Sequence, residues 1–281
     1  MSLKNILVYL DSGADNSKVL KHAFELGTAH GARLTGVIAR PIPEPNWTLM
    51  GEGAFSRTAI ADLKSFSVEQ SDSALSEFNL ALDRSGLKGD TRVQDCSGHS
   101  VAEVVSQFLR RHDMALIGQS PSRSHRFGGH ELPDDVVMQS GRPVLVVPYI
   151  ETKPAGKHIM IGWDGSREAA RAVNDAMPLL QMAQKVTLLM VNPIPSVISQ
   201  SAKPGAGIIQ HLAAHGIDAQ VNTEVSGDMS RDNIILSRVS DLDVDLLVLG
   251  AYSTPRYQEI IFGGVTRHLM NEMTVPILFS H

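Results

Sequence analysis

The segment with the plainest chemistry lies near the carboxyl end of the sequence: Gly250-Ala-Tyr-Ser253-Thr-Pro-Arg-Tyr-Gln-Glu-Ile-Ile-Phe-Gly263-Gly264-Val265-Thr266-Arg267. A glycine pair directly ahead of a helix lets the backbone come close to an anion such as a phosphate. The first N–H groups of such a helix lack intrahelical partners and lie at the positive end of its dipole. Thr266 adds a hydroxyl donor. A related stretch follows Gly118, but its Gly128-Gly129 doublet falls three residues early, and Glu131, Asp134 and Asp135 surround the start of the next helix. Negative charge there suits the helix dipole and repels a phosphate. Ser120, Ser122, Arg123, Ser124, His125 and Arg126 make the preceding loop polar and locally basic, so either this loop has lost phosphate binding or it takes another ligand. Loss is the reading favoured.

Other reactive residue types carry less. Asp11 and Asp164 each end a short apolar run and stand ready either to meet a ligand or to cap the following helix. The polar run Ser12 to Ser17 lacks the adjacent glycines of a pyrophosphate loop and reads as a turn, with Asn16 or Ser17 as the helix cap. His211 and His215 share a helix face, but no third ligand accompanies them. His125, His130 and Glu131 form a similar cluster in a loop. Cys96, the single cysteine, is either a redox-responsive thiol at a helix start or a small core residue, and it excludes an intrachain disulfide. No nucleophile–base pair or metal-ligand set is recognisable, so an enzyme is not the leading expectation.

The elements that position these residues occur twice. Asn5-Ile-Leu-Val-Tyr-Leu10 before Asp11 matches His158-Ile-Met-Ile-Gly-Trp163 before Asp164, each a nearly continuous apolar run of the kind buried on both faces of a sheet. Helical stretches follow at 17–30 and 166–183. The next strands run into Pro41-Ile42-Pro43 and Pro193-Ile194-Pro195. Ser97-Gly98 and Ser226-Gly227 follow the strands 90–95 and 218–224. Asp113 to Gly118 matches Asp245 to Gly250 at identical spacing, and the apolar runs after Pro143 and Pro276 close each copy. The chain therefore reads as two tandem Rossmann-like or flavodoxin-like α/β domains, 1–150 and 151–281, each a five-stranded parallel sheet with helices on both faces. The polar segment 151–157 suits a linker. The copies differ between their second and third strands, where the first carries a long amphipathic stretch, 55–86, and the second a shorter connection, 195–216. The long stretch could pack on its own sheet, face the other half, or form a dimer surface.

At 281 residues, 43% of them hydrophobic and 20% charged, the composition is that of an ordinary globular protein. The formal net charge of −5 gives no reason to expect a nucleic acid partner. No apolar run approaches the ~20 residues of a membrane span. The opening MSLKNILVYLD reads as a strand rather than a signal segment, which makes a cytoplasmic location the expectation.

On these residues the sequence resembles the universal stress protein family in its tandem two-domain form. Members that bind ATP share a stretch of glycine, two residues, glycine, nine residues, then glycine and a small hydroxyl residue. Gly250 matches the first glycine, Ser253 occupies the second, and Gly263-Gly264 occupies the final pair, so the spacing is kept and two identities are changed. From Gly118 the same spacing meets Pro121 and Glu131-Leu132. The resemblance implies that the second half binds ATP or another adenine nucleotide, with magnesium accompanying ATP. Asp164 would lie beside the adenosine, the Val191 backbone at adenine, and Gly250, Ser253, Gly263, Gly264, Val265 and Thr266 around the phosphates. It also implies that the halves pack on one another as a pseudo-dimer, and a second copy of the chain is a further candidate partner. The expected role is regulatory or sensory. The alternatives are a nucleotide-independent interaction module with relic pockets, or a slow ATPase in which Asp164 or Thr266 helps hold a metal–phosphate group.

Overall fold

The computed structural model describes residues 2–41, 57–119, 132–193, 203–252 and 264–281. Its first half runs β1 (Asn5–Tyr9), α1 (Ser17–His30), β2 (Arg33–Arg40), α2 (Arg57–Ser85), β3 (Gly89–Asp95), α3 (Val101–Leu109), β4 (Met114–Gly118), α4 (Leu132–Ser140) and β5 (Val144–Val147). The second runs β6 (His158–Gly162), α5 (Arg167–Leu180), β7 (Lys185–Val191), α6 (Ala206–Ala214), β8 (Ala219–Glu224), α7 (Arg231–Asp241), β9 (Leu246–Gly250), α8 (Val265–Glu272) and β10 (Ile277–Ser280).

Local chemistry sets several boundaries. Gly31, at φ 62, adopts the left-handed conformation that ends α1. Ser100 and Glu103 form a reciprocal capping box at the start of α3. Ser166 caps α5 through the Ala169 N–H. Asn16 does not cap α1 as expected. Its side chain turns back to the Asp11 backbone, accepting from the Asp11 N–H and donating to the Asp11 carbonyl, both at 2.9 Å.

Within each half all strand pairs are parallel, and the order β3-β2-β1-β4-β5 recurs as β8-β7-β6-β9-β10. The expectation of two separate five-stranded sheets changes in one respect. β5 and β10 pair antiparallel and join the halves into one ten-stranded sheet. In that ladder Leu145 faces Leu278, and each is the second residue after Pro143 or Pro276, so equivalent positions meet on a pseudo-two-fold axis. All the paired residues are buried, and two apolar layers, one on each sheet face, draw residues from both halves.

The repeated aspartate before β4 and β9 has a structural task. Asp113 accepts the Lys4 and Asn5 N–H groups at 2.7 and 2.9 Å. Asp245 accepts those of Gly156, Lys157 and His158 at 2.8, 3.1 and 3.0 Å. Each fixes the entry of the neighbouring first strand. The linker is further pinned to α1 by Lys21–Glu151 at 3.0 Å and by His22 Nε2 and Thr152 Oγ1 at 2.8 Å. The long amphipathic stretch is one helix that packs on its own sheet and α1. Phe78 is fully buried, 5.7 Å ring to ring from Phe24 and against Gly36, while Val68 and Leu80 face solvent.

Candidate functional site

Parallel sheets of this kind hold ligands at the carboxyl ends of their strands, where the strand order reverses. In the second half that point lies between β6 and β9, which are adjacent and whose chain continues outward in opposite directions. Asp164 lies two residues beyond β6 and is exposed. Its Oδ1 accepts the Ser166 N–H at 2.9 Å, closing a turn rather than capping α5 directly. Val191 ends β7 half-buried, in register with Glu224. The next residue, Asn192, adopts φ 50 and holds Ser226 by two hydrogen bonds, one from its amide to Ser226 Oγ and one from the Ser226 N–H to its Oδ1. This ties the β7 and β8 ends together.

Gly250 ends β9, and a Cβ there would strike the Glu168 carbonyl carbon and the Ala169 backbone nitrogen. Its glycine is therefore required by the first turn of α5, whatever a ligand demands. Gly264 stands at the amino end of α8, Val265 is exposed and Thr266 is buried. The first turn of α8 carries no acidic residue. Ser253 and Gly263 lie outside the described residues, as do His125, His130 and Glu131.

The first half is built differently at the equivalent point. Asp11 accepts the Gly13 N–H at 2.8 Å, the counterpart of the Asp164 turn. Tyr9 stands where the second half has Gly162, counting back from the two aspartates. Its buried ring belongs to the same apolar cluster as Val37, Ala39 and Cys96. Burial, with the Asp11 carboxylate nearby, pushes its phenol well above the ordinary range. This strand-end difference is legible in the sequence, two residues before each repeated aspartate. Helix α4 carries Asp134 and Asp135 in its first turn. Cys96 is buried, and burial with the Asp95 carboxylate raises its thiol pKa, so the core reading holds and the redox reading falls.

Of two cavities, one of about 360 Å³, lined by Arg167, Glu168, Arg171 and His281, opens beside the start of α5, whose Glu168–Ala169 backbone abuts Gly250. The other, about 720 Å³, lies at the amino ends of the strands among linker residues, α7 and α8. His211 and His215 stack edge to face at 4.8 Å, and no group of three metal-ligating side chains occurs among the described residues. No helix among them is long and apolar enough to cross a membrane.

The model of the universal stress protein family matches residues 156–281. A universal stress protein from Archaeoglobus fulgidus DSM 4304 superposes with a TM-score of 0.76 at 14% identity, covering 99% of this chain and 96% of that one. A protein of unknown function from Pseudomonas aeruginosa PAO1 gives 0.60 at 15% identity, over 99% and 92%. A universal stress protein from Archaeoglobus fulgidus in complex with dAMP aligns with 52% of this chain and 98% of its own, at 21% identity and a TM-score of 0.33. A comparison with curated protein sequences returns no match. Residues 156–281 are thus similar to the universal stress protein family, and the whole chain shares the tandem α/β fold of a solved universal stress protein.

Proposed function

We propose that this chain is a stress-response protein of regulatory type whose second domain, 151–281, binds an adenine nucleotide, ATP or AMP, while its first domain, 1–150, does not. The adenosine would lie between Asp164 and the Val191 backbone. The phosphates would approach Gly250, Ser253, Gly263, Gly264, Val265 and Thr266. The observation that carries the reading is the contrast between two equivalent helix starts. That of α8 opens on Gly264 with no acidic side chain in its first turn, whereas that of α4 carries Asp134 and Asp135. Carboxylates in a helix's own first turn compete with a phosphate for its unpaired N–H groups.

ATP would bring its magnesium with it, and the proposal assigns that ion no ligand set of its own. Isothermal titration of the chain with ATP tests the reading, repeated on Gly264→Val. Binding by the wild type that falls at least about tenfold in the variant supports it. No heat with the wild type refutes nucleotide binding. Equal affinity in the variant refutes the site.

A further inference from the structure

Helix α8, whose first turn bounds the proposed phosphate position, is held at both ends by buried polar side chains of the other half. At its carboxyl end the Gln119 amide donates to the Met270 and Asn271 carbonyls at 2.8 and 2.9 Å. These belong to the last turn, where carbonyls lack helical partners. The Gln119 carbonyl accepts the Tyr149 N–H at 3.1 Å, so one side chain ties α8 to the ends of β4 and β5.

At the amino end Asp134, 3% exposed, accepts a hydrogen bond from the Tyr252 hydroxyl at 2.5 Å and stands 3.7 Å from Arg267 Nε. Tyr252 follows Gly250 by two residues, and Arg267 lies in the first turns of α8. Asp134 therefore grips both the strand end and the helix start between which the phosphates would lie. Tyr252 adopts φ 57, a left-handed conformation that side chains seldom occupy without outside support. That support is the Asp134 bond together with the His281 ring, packed edge-on at 6.3 Å.

The pairing has a further property. Asp134 lies nine positions before Pro143 and Arg267 nine before Pro276, so the two occupy equivalent places in the repeat. Two identical copies would bring like residues together across this axis, either two carboxylates or two guanidinium groups. Opposite charges there require that the copies have diverged.

We propose that Asp134 and Gln119 are positioning residues in the first half for the nucleotide site of the second, setting where the amino end of α8 lies relative to Gly250. The proposal rests on the nucleotide reading above. It is tested on the full chain by measuring ATP and adenosine affinity for the wild type, Asp134→Ala, Asp134→Asn and Tyr252→Phe. Adenosine lacks the phosphates that α8 would face, so it serves as the internal control. Asp134→Ala should weaken ATP by about tenfold and adenosine by less than about twofold. Asp134→Asn, which keeps an acceptor for the Tyr252 hydroxyl, should retain more ATP affinity than Asp134→Ala. Tyr252→Phe deletes one oxygen, and its ATP affinity should fall in the same direction even where Asp134→Ala does not fold. Unchanged ATP affinity in the folded variants, or equal losses for ATP and adenosine, overturns the positioning role and leaves the nucleotide reading intact. A wild type that takes neither ligand overturns both.

Discussion

Acid should loosen the joint between the linker and the first half through one histidine. His22 on α1 is 2% exposed, its Nε2 lies 2.8 Å from Thr152 Oγ1, and its Nδ1 lies 3.7 Å from a Glu25 carboxylate oxygen. Burial, aided by the Lys21 ammonium and opposed by Glu151, lowers its pKa to about 4. In the unfolded chain the same imidazole titrates near ~6.5. Above that value the ring is neutral in both states and contributes no pH dependence. Between the two values the unfolded state takes up a proton that the native state refuses, so stability falls as pH falls. The full difference is about 3 kcal/mol, and about 2 kcal/mol of it is already lost at pH 5. His22→Gln keeps a polar atom near Thr152 and removes the titration. Urea unfolding of both proteins at pH 8 and pH 5 isolates the effect from every other titrating group. With a slope of about 3 kcal/mol per molar, the wild-type midpoint should fall by about 0.7 M more than that of the variant. Parallel shifts in the two proteins would show that burial does not hold His22 neutral, and would refute the reasoning.

Three further outcomes follow from the packing. Gly250→Ala should lower stability by about 2 kcal/mol or more by thermal melting, because the new methyl meets α5 backbone. Gly162→Ala should cost less, since the obstruction there is chiefly the movable Leu249 side chain. Ser100→Ala should cost about 1 kcal/mol in chemical denaturation, the usual loss for an N-cap, and Glu103→Gln should retain most of the capping box.

Much of the fold was legible because its signals are local. The apolar runs ending in Asp11 and Asp164 are buried strands, and the Asp113–Gly118 and Asp245–Gly250 repeats are β4 and β9 with the aspartate that anchors each neighbouring strand. The antiparallel joint between β5 and β10 was not legible. Val-Leu-Val-Val and Ile-Leu-Phe-Ser are apolar throughout, and such a run does not say which edge it will pair. Asn16 stands at the N-cap position of α1 without capping it through its side chain, since Asn bonds as readily to a preceding backbone as to a following helix. At the site, glycine spacing pointed to α8, yet the Gly250 requirement proved to be a helix contact. The carboxylate of Asp134 appeared in sequence only as a repulsive charge. Its bond to Tyr252, 118 positions away, depends on a pseudo-symmetric interface that spacing along the chain does not encode.

The claim that the duplicated fold is asymmetric in function meets its most direct test in a crystal structure of the full chain grown with ATP, paired with the binding stoichiometry in solution. The account predicts one nucleotide per chain, with its phosphates at the amino end of α8 and its adenosine beside Asp164. Nucleotide at the amino end of α4, two nucleotides per chain, or none at saturating ATP would contradict it.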